Sequence, residues 1–230
     1  MKKYRFTLTE MLTVIAIIAI LAALITAVVI RARASARTTA CVSNQGQTIK
    51  LVINGMNASD SKITNGNAAG KRYTDWLRDK KLLASLEAVR CPDMSYSSKP
   101  GSVSNDTDLA EAYGMVISTA AESKFNFKNN KLFKAGAADV SRSSMLMGGD
   151  TLEWKSNAST TLKNAAARAA LEFSSNRLAA NHNGGVINAF FLDGSVVSLP
   201  VDEFKSKSFY YPKADGTGAE KVAAGNIVSE

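Results

Sequence analysis

Apolar residues are spread unevenly along this chain. From Met11 to Ile30 they run without a single charge, MLTVIAIIAILAALITAVVI. About twenty residues at about 1.5 Å rise each cross a hydrocarbon layer about 30 Å thick, so this run predicts a membrane helix. Beyond Ile30 the pattern changes rather than stops. Residues 31–58 hold no Pro, and Ile49, Val52, Ile53 and Met56 recur at i, i+3, i+4 and i+7, one face of a helix. Ala32, Ala36 and Ala40 carry a narrower stripe upstream. Gly46 weakens the middle by about 1 kcal/mol relative to Ala. The expectation is one helix of about fifty residues, apolar on every side in its first half and amphipathic in its second.

The rest alternates short apolar pieces with turn formers. Ala58 to Lys71 is polar, bears Gly and Asn, and reads as a loop. Thr74 is placed to cap a short helix that buries Trp76, Leu77, Leu82, Leu83 and Leu86. A Ser-, Gly- and Asp-rich loop follows Cys91-Pro92 as far as Asp108. Strands are expected at Ala112 to Thr119, at Ser143 to Gly148, and as a pair over Val186 to Leu199. The pair turns at Asp193-Gly194, a two-residue hairpin signal between FFL and SVVSL. Leu162 to Leu171 is Ala-rich and reads as helical, and Thr217 to Glu230 as a loosely held tail. Helices and strands are segregated rather than alternating, so the fold class is α+β: a long N-terminal helix against a small antiparallel sheet.

Length and charge refine this. Of 230 residues, those outside the membrane segment suffice for one soluble domain, 58–230. The formal charge is +8, and Arg31, Arg33 and Arg37, just past the apolar run, suit anionic lipid headgroups. Lys and Arg are otherwise scattered, with no basic helix or aromatic-interleaved basic strand, which makes nucleic acid an unlikely partner. Lys2, Lys3 and Arg5 before the run balance the three arginines after it, so charge bias fixes no orientation. A cleaved secretory signal would need a shorter apolar core than this one; a simple uncleaved anchor fits hydropathy alone. Glu10, at the edge of the apolar run, is a functional candidate, because an ionisable group there is costly.

Phe6-Thr7-Leu8-Thr9-Glu10-Met11-Leu12, followed by Val14-Ile15-Ala16-Ile17-Ile18-Ala19-Ile20-Leu21, resembles the start of prepilins, the precursors of type IV pilins and type II secretion pseudopilins. The resemblance implies a five-residue leader (1–5), cleavage between Arg5 and Phe6 by a prepilin peptidase, and methylation of the new Phe6 amine. Removing the leader takes +8 to +5 through loss of Lys2, Lys3 and Arg5. It also implies a spine helix over 6–57, with 11–30 in the membrane. Glu10, fifth from Phe6, would then neutralise a neighbouring subunit's N-terminus, whose burial otherwise costs several kcal/mol. The alternative role of Glu10 is to favour the positive end of its own helix. Two departures stand out: the family has Gly before the cut where this chain has Arg5, and it commonly has a Pro in the apolar segment that is missing here.

Near the other end, His182-Asn183-Gly184-Gly185 leading to Asp193-Gly194 is similar to a C-terminal domain of many prepilin-like proteins, marked by a His, a Gly-rich turn and an Asp-Gly hairpin. That pattern has nine residues between His and Asp; here Asn183 through Leu192 makes ten. Cys91-Pro92 and Cys41-x-x-Asn44 also look like this family. His182 is the only histidine, a poor basis for a metal site, and the expectation is that its ring bonds the backbone of the adjacent hairpin. Asp106 and Asp108 read as solvated loop acids; calcium there is the one cofactor alternative, and the spacing to Glu111 matches no known calcium loop. Trp76 and Trp154 read as core or rim aromatics. For Cys41 and Cys91 two readings stay open: a disulfide closing about fifty residues and stabilising by about 4 kcal/mol, or two thiols.

There is no Gly-x-Ser-x-Gly elbow, P-loop or dinucleotide fingerprint, and an enzyme is not expected. The resemblance implies a structural subunit of a type IV pilus or secretion pseudopilus. Its partners would be the prepilin peptidase, other pilin or pseudopilin subunits including copies of itself, an inner-membrane assembly platform and membrane lipids. Its place would be the bacterial inner membrane, single-pass with the globular domain extracytoplasmic, and then the filament. The alternative is a single-pass anchored extracytoplasmic binding domain that does not polymerise.

Overall fold

The computed structural model describes residues 7–60, 62–64, 72–93, 112–116, 124–127, 133–153, 170–171, 176–180, 182, 185–213, 217–223 and 227–228. Arg5, Phe6, Asp106, Asp108, Glu111, Trp154, Gly184 and most of the expected Ala-rich helix (162–169) lie outside them. The chain forms two compact units, Met1–Arg37 and Thr38–Glu230. The first helix, α1 (Leu8–Asn57), runs through both, fifty residues long as its pattern predicts.

Thr7 and Glu10 start α1 as a reciprocal cap. Glu10 N–H donates to Thr7 Oγ1 (3.3 Å), and Thr7 N–H donates to Glu10 Oε2 (2.8 Å). Two donors that the first turn would otherwise leave orphaned are thus satisfied. Within the apolar run the hydroxyls bond back to their own helix, Thr13 Oγ1 to the Glu10 carbonyl (3.0 Å) and Thr26 Oγ1 to that of Ala22 (2.7 Å). Such closure is what a polar group needs where water is scarce. Every large apolar side chain from Leu8 to Ile30 is exposed, from 38% at Val29 to 81% at Leu8. The helix is long and apolar enough to cross a membrane once.

In the second unit the same helix is part of a core. Cys41, Gln45, Thr48, Ile49, Val52, Gly55 and Met56 are buried along one face. Ile49, Val52 and Met56 match the expected stripe and Ile53 is half-buried, whereas Ala32, Ala36 and Ala40 are all exposed. Gly55 has a packing reason: a Cβ there would collide with the Trp76 ring, which lies flush against the helix backbone.

The strands are β1 (Lys62–Thr64), β2 (Gly114–Val116), β3 (Lys124–Asn126), β4 (Lys134–Ala135), β5 (Ala138–Asp139), β6 (Leu146–Gly149), β7 (Thr151–Glu153), β8 (Ala170–Leu171), β9 (Asn176–Ala179), β10 (Val186–Phe191), β11 (Val196–Pro200), β12 (Tyr210–Pro212), β13 (Ala219–Lys221) and β14 (Ile227–Val228). The main sheet runs β11-β10-β6-β2-β8 and is antiparallel except for the β2–β8 pair. Strand β10, VINAFF, paired on both sides, is buried from Ile187 to Phe191, as expected of a strand covered on both faces. A second sheet, β14-β9-β7, joins the C-terminal segment to the domain. Two short α-helices, α2 (Tyr73–Asp79) and α3 (Val201–Ser206), and two 3-10 turns, Leu86–Val89 and Arg142–Ser144, are also described. Phe204 of α3 stacks at a tilt on Phe209, and Phe209 on Phe191 (4.7 and 4.8 Å between ring centres).

Several expectations are corrected. The stretch Ala58 to Lys71 contains strand β1, paired with β3. α2 starts at Tyr73, so Thr74 is a buried helical residue; the Asp75 carboxylate instead accepts from Arg72 N–H (3.3 Å). Ala170–Leu171, read as the end of a helix, is strand β8. The tail is held by two pairings: β13 with β12, where Ala219 is buried, and β14 beside β9 in parallel. The hairpin turns through three residues, Leu192, Asp193 and Gly194, rather than two. Gly194 N–H donates to the Phe191 carbonyl and Phe191 N–H to that of Ser195, both at 3.0 Å. Gly194 takes φ +89°, the left-handed residue that such a three-residue turn requires. The Asp193 carboxylate locks the turn by accepting from the Ser195 amide (2.9 Å) and hydroxyl (2.6 Å).

Candidate functional site

Within the second unit, four separate segments bring chemistry to one buried point. Cys41 and Gln45 come from α1, one turn apart on its buried face. A 3-10 turn, Leu86–Val89, ends at Arg90 and delivers Cys91 and Asp93. Asn44 clamps that turn to α1, its Nδ2 donating to the carbonyls of Glu87 (3.0 Å) and Arg90 (3.1 Å), and Thr48 Oγ1 adds a 2.7 Å bond to that of Ala88. Asp150 sits at the corner between β6 and β7, pinned by its backbone to both sheets: its N–H donates to the Asn188 carbonyl (3.0 Å) and its carbonyl accepts from Ala179 N–H (2.9 Å). His182 lies just before β10, bridged to Val186.

Asp150 is the hub and is fully buried. Its Oδ1 accepts from Cys41 Sγ (3.3 Å) and Gln45 Nε2 (3.0 Å), and its Oδ2 accepts from Asn188 Nδ2 (3.1 Å). His182 Nε2 lies 3.1 Å from the same Oδ2 and 3.6 Å from Cys91 Sγ. The other ring nitrogen, Nδ1, lies 2.8 Å from Asp93 Oδ2. The Tyr113 hydroxyl closes the far side, with the Arg90 carbonyl at 2.9 Å and Cys41 Sγ at 3.4 Å. Gln45 Oε1 and Asn188 Oδ1 are buried without a hydrogen-bond partner.

The electrostatics follow from burial around one carboxylate. Burial pulls the His182 ring down, but the bond to Asp150, the interaction with Cys41 and the Asp150 charge outweigh it and raise the ring to about 11. Burial, the Cys91 interaction and the Asp150 charge push the Cys41 thiol well above its ordinary range. Burial, then the neighbouring sulfurs and Asp150, do the same for the Tyr113 hydroxyl. The His182 ring therefore keeps its proton beside the Asp150 carboxylate, 3.1 Å away, and the Cys41 sulfur keeps its own.

Cys91, His182 and Asp93 in sequence have the order of a thiol, a base and its orienting acid. Cys91 is 1% exposed and His182 4%, so the sulfur and the ring are covered. The arrangement suits a ligand that needs no entry groove once bound: Cys41, Cys91, Asp150 and His182 each offer one atom, all within 4.8 Å of one another.

Measured against the sequence expectations, His182 is at the site, but its ring meets carboxylates and sulfur rather than the hairpin backbone. The backbone of that turn is held without the ring, by Gly185 N–H on the His182 carbonyl (3.1 Å), with Gly185 at φ +66°. Cys41 and Cys91 are brought together but form no disulfide. Asp193 and Gly194 belong to the hairpin turn, and Glu10 to the first unit. Trp76 is a core residue, 9% exposed. Gln45, Asp93, Tyr113, Asp150 and Asn188 were not expected. Gln45 and Asn188 did carry a signal, each being a polar residue at a position the apolar periodicity assigns to the core. Compared with known protein families, curated proteins and solved structures, the chain matches none.

Proposed function

We propose that the protein is a subunit of a pilin-like filament, held in a membrane by residues 11–30 and polymerising through the same helix. The observation that carries this reading is the apolar half of α1, exposed on every side while the other half is buried in a folded domain. A helix apolar all round is stable in lipid or among other apolar helices, not in water. A filament offers the second environment to a rod that starts in the first. Cleavage before Phe6 would leave the Thr7–Glu10 cap intact, because both of its residues lie in the mature chain. Both Thr7 bonds, from the amide and from Oγ1, end on Oε2 (2.8 Å each). A carboxylate has about four lone-pair sites, so acceptor capacity remains for a neighbour's Phe6 ammonium.

The same cap supports a second reading, a single-pass anchored binding domain that does not polymerise, with Glu10 serving only its own helix. Glu10→Gln separates the two. Gln also closes a capping box, so the helix start is kept while the charge is lost. The expected result is full membrane insertion and a protease-resistant domain, with no filaments in sheared fractions by electron microscopy. Mass spectrometry of wild-type material should find N-methyl-Phe at position 6. Filaments that persist in Glu10→Gln would refute the neutralisation role, and a chain that keeps Met1 would refute processing.

A further inference from the structure

The four donors around Asp150 support an inference independent of the filament reading. We propose that Cys41, Cys91, Asp150 and His182 bind one structural zinc ion, through both Sγ atoms, a carboxylate oxygen and His182 Nε2, and that the ion fastens α1 to the sheet domain.

Zinc takes thiolate, imidazole and carboxylate ligands, and its structural sites are closed, four-coordinate and tetrahedral. Metal–ligand bonds of about 2.0–2.3 Å place the ligand atoms of a tetrahedron about 3.3–3.8 Å apart. His182 Nε2 lies 3.1 Å from Asp150 Oδ2 and 3.6 Å from Cys91 Sγ, Cys41 Sγ lies 3.3 Å from the other carboxylate oxygen, Oδ1, and the four ligand atoms all lie within 4.8 Å of one another. Centring an ion among them closes the longest separation by about 1 Å, a movement within the reach of side-chain rotation. All four residues are buried, so no open coordination position faces solvent, which makes the site structural rather than catalytic.

The surroundings are those a metal needs. A ligating His gives its other ring N–H to a carboxylate, which fixes tautomer and orientation. His182 meets that condition: Nδ1 is held by Asp93, and Nε2 points into the donor set. The Asp150 carboxylate is held in turn by amide donors on both oxygens, Gln45 Nε2 and Asn188 Nδ2. A disulfide would account for two of the four converging groups and a salt bridge for the other two; one ion accounts for all four and for Asp93. As the ion binds, both thiol protons and the proton on His182 Nε2 pass to solvent, leaving two thiolates, a neutral imidazole whose remaining N–H faces Asp93, and the Asp150 carboxylate.

The full-length chain, extracted in detergent under reducing, chelator-free conditions, should carry about one zinc per chain by elemental mass spectrometry. After stripping and titration with cobalt(II), one equivalent should give the intense visible absorption of a tetrahedral site and a sulfur-to-cobalt charge-transfer band, both bleached by zinc. Cys91→Ala should lose roughly half of the charge-transfer intensity. Asp93→Asn, a positioning change, should keep the spectrum but weaken cobalt affinity about 10–100-fold. Alkylation of wild-type Cys41 and Cys91 should require prior chelation, a readout that needs no variant to fold. A metal-free preparation that also gives no tetrahedral cobalt spectrum would overturn the proposal. So would a spectrum unchanged in folded Cys91→Ala, or a native chain lighter by two hydrogens and inert to alkylation, as a disulfide would make it.

Discussion

Replacing Asp150 by Asn tests whether the buried carboxylate holds the domain together apart from any metal, provided the protein is kept in chelator. The side chain keeps its volume, so packing is unchanged and the effect isolates charge and hydrogen bonding. Asp150 faces four donors: Cys41 Sγ and Gln45 Nε2 on one oxygen, Asn188 Nδ2 and the protonated His182 ring on the other. An amide has one acceptor oxygen, so its NH2 must point at two of these donors. The charge opposite His182 is lost either way; turned toward His182, the NH2 also opposes that ring and Asn188, and turned toward α1 it opposes Gln45 and Cys41. Bonds to charged groups are worth about 1.5–3 kcal/mol each, so losing two costs about 3–6 kcal/mol. Turning the Gln45 amide over recovers nothing net, because its Nε2 also donates to the Asn188 carbonyl (3.3 Å) and would give that bond up. For a domain of this size about 1 kcal/mol moves Tm by about 2–4 °C, so the expected drop is about 6–24 °C. Thermal unfolding in detergent, followed by near-ultraviolet circular dichroism, reads it directly. A Tm within about 3 °C of wild type would show that Asp150 is not the hub the geometry makes it.

Other substitutions probe neighbouring parts of the argument. A Cβ on Gly148 would fall on the Gly114 carbonyl oxygen, a backbone atom that moves only if β2 leaves β6; Gly148→Ala should cost about 1–3 kcal/mol or more, and an unchanged Tm would refute that register. In chelated protein the raised His182 value has a definite sign. Its contribution is fully present below the unfolded value of about 6.5 and is lost as pH rises toward about 11, so stability should fall across that window; denaturant midpoints that rise instead would contradict the Asp150–His182 pair. Thr7→Ala removes a helix cap worth about 1 kcal/mol but no charge, so hydrogen exchange at the first turn of α1 should speed up while filaments still form.

Legibility in the sequence tracked the range of the interactions. α1 could be read almost to the residue because twenty uncharged positions, a Pro-free continuation and the 49-52-53-56 spacing are all local. The hairpin was legible in place but not in form. Leu192 reads as strand because it is apolar, yet it is buried in the turn and its N–H donates to the Met145 carbonyl (3.0 Å) on a neighbouring segment. Strands β1, β8 and β14 were missed for a related reason. They are two or three residues long, too short to show a period, and each exists because a partner distant in sequence supplies its hydrogen bonds.

His182 could be singled out as the one imidazole, but its partners could not, because they come from positions 41, 91, 93 and 150 with no shared local spacing. What the sequence did hold was a set of residues in the wrong place. Gln45 lies one turn before Ile49 on the apolar face of α1, Asn188 interrupts an apolar strand, and Asp150 follows the buried run Leu146–Gly149. A buried polar group unpaired costs about 1–3 kcal/mol and a buried charge more. A domain that keeps three of them on core faces must therefore bring them into mutual contact. Gln45, Asn188 and Asp150 do meet, and the carboxylate at their centre then requires the cation that His182, or a metal held with its help, supplies.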